Sequence, residues 1–442
     1  MNFDKLLSAV KNKASESNIN QWEMLGARTE SVGASTFTHE IAKISSTVKE
    51  GISMRVIRDG KEGFASSDKC DEDEAMLLLV KAYDNALVND KEGCPKISTP
   101  DAEYKEKEIV DVKEYCLSDL KNILLEKEAE LYKSDDRVKD GTNVSASFIK
   151  SESFMANSEG LSLSSEEKGS YVASFVKVEE NGEVAVSRAE SLDASGDISG
   201  AVKKAVSQLG AGYLKSGMYP VVFSPDSMIQ ILDAFFPIFS GKSASLGLSR
   251  LKGKEGAMVA SNAVTIKDDP FYPGYPFQRS YDGDGKATYT KNVIEKGVLN
   301  TLLYNKEWAE KEGKESTANC QRSAFSSSSV IAPYSFYFER GELSREELFK
   351  KAEGGVYVTQ MKGFHAGANA VSGDFSIESA GYMIKEGKAE EAVKQFTVAG
   401  NFYSLLENIV ALSNELEFDV SLSSSRIGSP DVFVKELSIA GV

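Results

Sequence analysis

Short turn pairs recur along this chain between stretches whose side chains alternate apolar and polar. That combination restricts the fold more than any other feature. Asp59-Gly60 follows the alternating Ile52, Met54 and Val56 and leads into a short return through Phe64. Asn181-Gly182 lies in a region, Thr142 to Glu190, where Val144, Ala146 and Phe148 alternate with Ser145 and Ser147, and Asn157-Ser158-Glu159-Gly160 makes a further turn there. Lys296-Gly297 separates Val293-Ile294 from Val298-Leu299, and Glu386-Gly387 follows Tyr382-Met383-Ile384. A period of two sends successive side chains to opposite faces of a strand. Asn-Gly and Asp-Gly supply the positive φ angles of a two-residue hairpin. The chain is therefore expected to build antiparallel sheet in both halves.

Helical spacing occurs in separate runs. Leu6, Leu7 and Val10 mark a helix from Phe3 to about Ser17. Further helices are expected over Glu72 to about Val88, Val112 to Tyr132, Ile198 to Leu209 and Phe402 to Leu412. Ser224-Pro225-Asp226 has an N-cap serine followed by proline at the first helical position, so a helix should run on through Ile229, Leu232 and Phe235 until Pro237 kinks or ends it. Residues 89–104, with Asp90, Gly93, Pro95 and Pro100, read as an exposed connection. His39 is expected at a strand edge. Separate helical and hairpin runs give the fold class α+β and disfavour a βαβ series. The glycine-rich stretch Gly210 to Gly217 suggests two domains, 1–215 and 216–442. Each should have a largely antiparallel sheet with packed helices, the C-terminal one strongly curved or barrel-like.

Charge narrows the function. Asp plus Glu number 67 against 51 Lys plus Arg in 442 residues, a net charge of −16. A nucleic-acid binder needs the opposite balance, and an anionic membrane surface would repel this one. No apolar run approaches the length of a transmembrane span. The start lacks the plan of a signal peptide, and Cys70, Cys94, Cys116 and Cys320 form no C-x-x-C pair. A reduced cytoplasmic protein, with no nucleic-acid or membrane partner, is the expectation. Asp282-Gly283-Asp284-Gly285 lacks the twelfth-position Glu of a calcium loop and reads as a turn.

The chain has two histidines, His39 and His365. That excludes most hydrolase arrangements, and no serine sits in a nucleophile elbow. His365 lies in Gly363-Phe364-His365-Ala366-Gly367-Ala368-Asn369, followed by Ser372-Gly373-Asp374. The candidate peptide- or partner-binding residues are His365, Gly367, Asn369, Ser372 and Asp374. The same stretch also reads as a tight loop that needs glycine dihedrals. No catalytic residue and no metal ligand is assigned from spacing.

This loop resembles the TldD/PmbA family. So do Thr397-Val398-Ala399-Gly400-Asn401-Phe402, the ending Ser429-Pro430 through Leu437-Ser438-Ile439-Ala440-Gly441, and Gly51-x-x-x-Arg55-Val56 with Asp59-Gly60-Lys61-x-Gly63. The resemblance covers nearly the whole chain. It implies a two-branch family: TldD-like zinc metallopeptidases with a helical H-E-x-x-x-H motif and a distant cysteine, and PmbA (TldE) partners without it. It also implies dimers, peptide substrates and an older description as modulators of DNA gyrase. The resemblance puts Leu232 and Pro237 at the two histidine positions, Asp233 at the catalytic glutamate and Val358 at the cysteine. The resemblance thus points to a PmbA/TldE-type subunit with no cofactor of its own, zinc being carried by a TldD-like partner, and to a homodimer when alone. Two alternatives stand beside it: an independent metal-free peptidase or amidohydrolase using His365 with Asp374 or another acid, and a regulatory binding protein of the gyrase-modulator type.

Overall fold

The structure, a computed structural model, describes residues 2–90, 96–323 and 328–442. Gly93, Cys94 and Pro95 lie outside the described residues. The fold is α+β. Six antiparallel strands form the first sheet: β1 (Trp22–Phe37), β2 (Glu40–Arg58), β3 (Lys61–Ser67), β4 (Asn143–Asn157), β5 (Ser162–Glu180) and β6 (Glu183–Ser191), in the order β3-β2-β1-β4-β5-β6. Asp59-Gly60 and Asn181-Gly182 turn with positive φ at both residues, as two-residue hairpins require. Thr38-His39 does the same. His39 therefore occupies the tip of the β1–β2 hairpin rather than a strand edge, and its ring packs on Tyr132 at 4.2 Å.

Alternation puts the even-numbered side chains of β1, β2, β4 and β5 on one face, and helices cover that face at both ends. Met24, Ile52, Met54 and Ala156 are buried with residues of α1 (Phe3–Glu16) and α2 (Glu72–Val88). Val144, Ala146, Val172 and Val176 are buried with α3 (Leu117–Ser134) and α4 (Gly200–Val206). Gly63 lets α2 approach closely, since a Cβ there would stand 1.8 Å from the Ala82 carbonyl oxygen. α3 begins five residues later than the apolar spacing suggested. The Asp119 carboxylate accepts from the Cys116 amide at 2.9 Å and fixes the start there. Among the described residues, no helix is long and apolar enough to cross a membrane.

Among the described residues, the C-terminal half holds two six-stranded sheets and a small two-stranded one. In the first, β7 (Gly217–Phe223), β14 (Val356–Lys362), β15 (Asp374–Lys385), β16 (Lys388–Asn401) and β20 (Val432–Ala440) pair in a ring, closed by β16 with β20, and β17 (Ile409–Leu412) adds to β20. This is a five-stranded barrel, in agreement with the barrel-like expectation. The second sheet has the order β10-β9-β8-β13-β19-β18: β8 (Ile266–Asp269), β9 (Lys291–Glu295), β10 (Val298–Leu299), β13 (Ser335–Phe338), β18 (Glu417–Phe418) and β19 (Arg426–Ser429). The small pair is β11 (Cys320–Arg322) with β12 (Ser329–Ile331). The expected helix from Phe402 to Leu412 stops at Asn408, because Ile409 to Leu412 pair with Val432 to Val434. The β-branched Ile409-Val410 suits that ladder better than another helical turn.

The odd-numbered face of the first sheet meets the C-terminal half through charge. Arg322 donates to Glu23 at 2.7 Å and to Asp284 at 2.8 Å, and Arg55 pairs with Glu62 at 2.7 Å and lies 3.8 Å from Glu23. Asp282 accepts from the amides of Asp284, Lys286 and Cys320 at 2.9, 3.0 and 3.0 Å. Asp282-Gly283-Asp284-Gly285 is a turn, as expected, but a buried one that joins the halves. The connection before α3 is also tied down. Asp101 bonds Lys286 and the Ala287 amide, Tyr104 donates to the Gly285 carbonyl, and Glu108 accepts from the Gly274 amide. Arg322→Met leaves Glu23 and Asp284 buried without their shared cation, which costs about 3–5 kcal/mol. Urea denaturation should show that loss, and an unchanged midpoint would contradict the role given to Arg322.

Candidate functional site

The helix α5 (Pro225–Phe235) lies between the barrel and the second sheet. Ser224 caps it, its Oγ accepting from the Ser227 amide at 3.3 Å, and Pro225 sits at the first position. Pro237 has no N–H to continue the ladder, and the chain tightens into a 3-10 turn over Phe236–Phe239. Met228, Ile231, Leu232 and Phe235 are wholly buried. Asp226, Gln230, Asp233 and Pro237 are exposed, and their spacing of four, three and four puts them on one face. Val358 is wholly buried on β14, at the other end of the helix, where its carbonyl accepts from the Ser224 amide at 2.9 Å. Leu232 and Val358 are therefore core residues, while Pro237 faces outward. Among the described residues, no three His, Cys, Asp or Glu side chains gather in a way that could hold a metal ion.

The exposed face of α5 looks toward β18 and β19, and the neighbourhood is acidic. Asp419 is pushed up to about 6, chiefly by burial and also by the charge of Asp233, while it accepts from the Ile427 amide at 2.8 Å. Partial desolvation by the surrounding protein also raises Asp233, Glu190 and Glu417, the last two with help from Asp226. Arg426 is buried beside them. Its Nε donates to Ser335 Oγ at 3.0 Å, and the guanidinium lies 3.6 Å from the Tyr275 ring centre and 3.9 Å from that of Phe418. Burial pushes this arginine down to about 10. These groups come from positions as far apart as 190 and 426, and only topology brings them together. No local spacing in the sequence signals them.

The His365 loop is adjacent through the core. Phe375 and Phe402 pack on Phe235 of α5 at 6.1 and 4.8 Å. Gly373 has φ +83° and a Cβ there would meet the Tyr403 ring at 2.6 Å, so glycine is required. At Gly367 a Cβ would stand 2.4 Å from the Ser376 carbonyl oxygen. Asn369 Oδ1 accepts from the amides of Val371 and Ser372. Asn401 Nδ2 donates to the Asp374 carboxylate at 2.7 Å and to the Ser372 carbonyl at 2.9 Å, and its Oδ1 caps the helix Phe402–Asn408. The Asn401 and Ser372 hydrogen bonds hold the Asp374 carboxyl below the usual range. Of the residues singled out in sequence, Asn369, Ser372 and Asp374 thus join one network. Its centre is Asn401, which the loop motif alone does not assign to the site. His365 stands outside the network, exposed on the short helix Phe364–Gly367.

The profile of the PmbA/TldA metallopeptidase C-terminal domain matches residues 216–441, and that of metallopeptidase domain 1 matches residues 22–86. The chain belongs to the PmbA/TldD metallopeptidase family. A Thermotoga maritima protein described as a candidate modulator of a DNA gyrase is 26% identical, with a TM-score of 0.89 over 99% of this chain and 100% of that one. TldE from Thermococcus kodakarensis has the same fold, with 23% identity and a TM-score of 0.87 over 99% and 100% of the two chains. The metalloprotease PmbA of Escherichia coli O157:H7 is 21% identical over 430 residues, 95% of this chain and 92% of that one. Within this PmbA/TldD chain, α5 and the His365 loop are the two elements that the sequence and the fold set side by side.

The acidic face generates a pH prediction. A carboxyl raised in the folded state binds its proton more tightly there than when unfolded, so its contribution to stability falls as pH rises from about 4 to about 6. Asp419→Asn keeps the acceptor for Ile427 and removes the charge. Its unfolding midpoint, relative to the parent, should rise between pH 4 and pH 7. A difference independent of pH would refute the assignment.

Proposed function

We propose that this chain is a PmbA/TldE-type subunit of a two-component peptidase, non-catalytic by itself, and that a TldD-like chain carrying zinc is its partner. The observation that carries this reading is the state of α5. Leu232 and Val358 are packed in the core, Pro237 ends the helix, and none of the three offers a donor atom to a metal. Asp233 is a carboxylate on the open face, without two companion ligands among the described residues. The residues present do not fit a zinc site. The substrate class is peptide. A homodimer of this chain forms when the partner is absent, and both act in the cytoplasm.

The test is reconstitution. The chain alone should leave an unstructured peptide intact, and mixing with a TldD-like chain should give cleavage that a chelator abolishes. Chelator-insensitive cleavage by the chain alone would overturn the reading.

An independent hydrolase would need His365 beside an acid. Asp374 is instead committed to Asn401 and its own loop. Accordingly His365→Ala should leave the activity of the mixture within about twofold, since exposed substitutions away from structural contacts rarely matter. A loss of about a hundredfold or more in kcat would restore the hydrolase reading.

A further inference from the structure

From Ala234 to Lys254 the sequence has no Asp or Glu but carries Lys242, Arg250, Lys252 and Lys254, in a chain whose net charge is −16. The stretch starts in the last turn of α5 and leaves it through the 3-10 turn. All four cations are exposed, and none forms an ion pair among the described residues. Glu255, which ends the acid-free stretch, is taken by Lys314. Leu246 and Leu248 stand among these cations, 55% and 43% exposed.

The two leucines are held in water by a firmly anchored segment. Ser249 Oγ donates to the Ile238 carbonyl at 2.6 Å, and Ala244 and Leu251 are buried in the core. The amides of Leu246 and Leu248 donate to the carbonyls of Lys242 and Ser243 at 3.0 and 2.8 Å. Gly247 makes the bend between the leucines with φ +74°. Anchors on both sides thus keep Leu246, Leu248, Arg250 and Lys252 outward. Tyr403 ties the segment to the His365 loop. Its hydroxyl accepts from the Arg250 amide at 3.1 Å, and its ring lies 5.1 Å from the Arg250 guanidinium. A guanidinium over a ring keeps its N–H edge free for a carboxylate. Lys252 Nζ donates to the Ser245 carbonyl at 3.2 Å and keeps two further donors. Ordered apolar side chains with a polar rim mark interaction surfaces.

We propose that this patch docks an acidic peptide segment, whose carboxylates pair with Arg250, Lys252 and Lys254 and whose apolar side chains cover Leu246 and Leu248. Charge complementarity selects that occupant, since the patch lacks carboxylates of its own. A polynucleotide or an anionic bilayer lays a broad negative surface against the molecule. The open face of α5, which leads into the patch, carries Asp226 and Asp233 and repels such a surface. A short peptide meets the cations alone. The proposal rests on the reading of this chain as part of a peptide-handling enzyme, and it adds a preference for acidic segments, held at the end of α5 and beside the His365 loop.

The test uses the full chain and a fluorescein-labelled unstructured heptapeptide of Glu, Leu and Ser, read by polarisation without any partner. A second peptide has Gln in place of every Glu. One variant combines Arg250→Gln with Lys252→Gln, another Leu246→Ser with Leu248→Ser; all four positions are exposed, so the fold should tolerate both. The expected result is binding of the Glu peptide about tenfold or more tighter than the Gln peptide, weakened about tenfold by the charge pair and several-fold by the leucine pair, and falling as salt rises. The Gln peptide decides the matter even if a variant fails to fold. Equal binding of the two peptides, indifference to both variants, or no binding to the chain alone would overturn the site. So would sedimentation with phosphatidylglycerol vesicles that the charge pair abolishes while the peptide stays unbound, or a change from dimer to monomer in either variant with peptide binding intact. None of these results touches the partner-subunit reading, which reconstitution with chelator decides separately.

Discussion

The pairing of Thr397, Val398 and Ala399 with Ala440, Ile439 and Ser438 closes the barrel, and the arrangement around the candidate site depends on it. Without that closure, β16 and the C-terminal part of β20 would both be exposed edges. Closure also brings the last strand beside the segment that leads into Asn401. Asn401 then caps its helix, holds Asp374 and fixes the His365 loop, while Phe402 stacks on Phe235 of α5. A single set of backbone pairs thus connects the C-terminus, the glycine-rich loop and the helix at the centre of the core.

The two halves are joined differently. Their contact is polar and includes buried charge, with Arg322 between Glu23 and Asp284. Such a set is weak as a source of net stability, yet removing one member is severe because the others stay buried. It fixes the position of the first sheet over the second half.

Much of this architecture is legible in sequence because it rests on local rules. Asp59-Gly60, Asn181-Gly182, Lys296-Gly297 and Glu386-Gly387 all turn with the positive φ that their composition suggests. Ser224-Pro225 begins a helix, and Pro237 follows its end. The departures have physical causes. Ile409 to Leu412 continues a helical pattern but is taken by a strand partner distant in sequence. Asp282 and Asp284 look like any polar turn, and their burial arises from a sheet formed by residues far away along the chain. Asp419, Glu417, Glu190 and Arg426 share a neighbourhood for the same reason.

Membership in the PmbA/TldD family sets the frame, and the place proposed for this chain within it rests on α5. Its core-facing positions are filled by apolar side chains, and its open face carries carboxylates that, among the described residues, gather no third ligand. The most direct test of this account is the mass of the folded chain, purified from zinc-containing medium and sprayed under native conditions. The account predicts chains without stoichiometric zinc. One zinc per chain, lost when Asp233 is replaced by alanine, would contradict it.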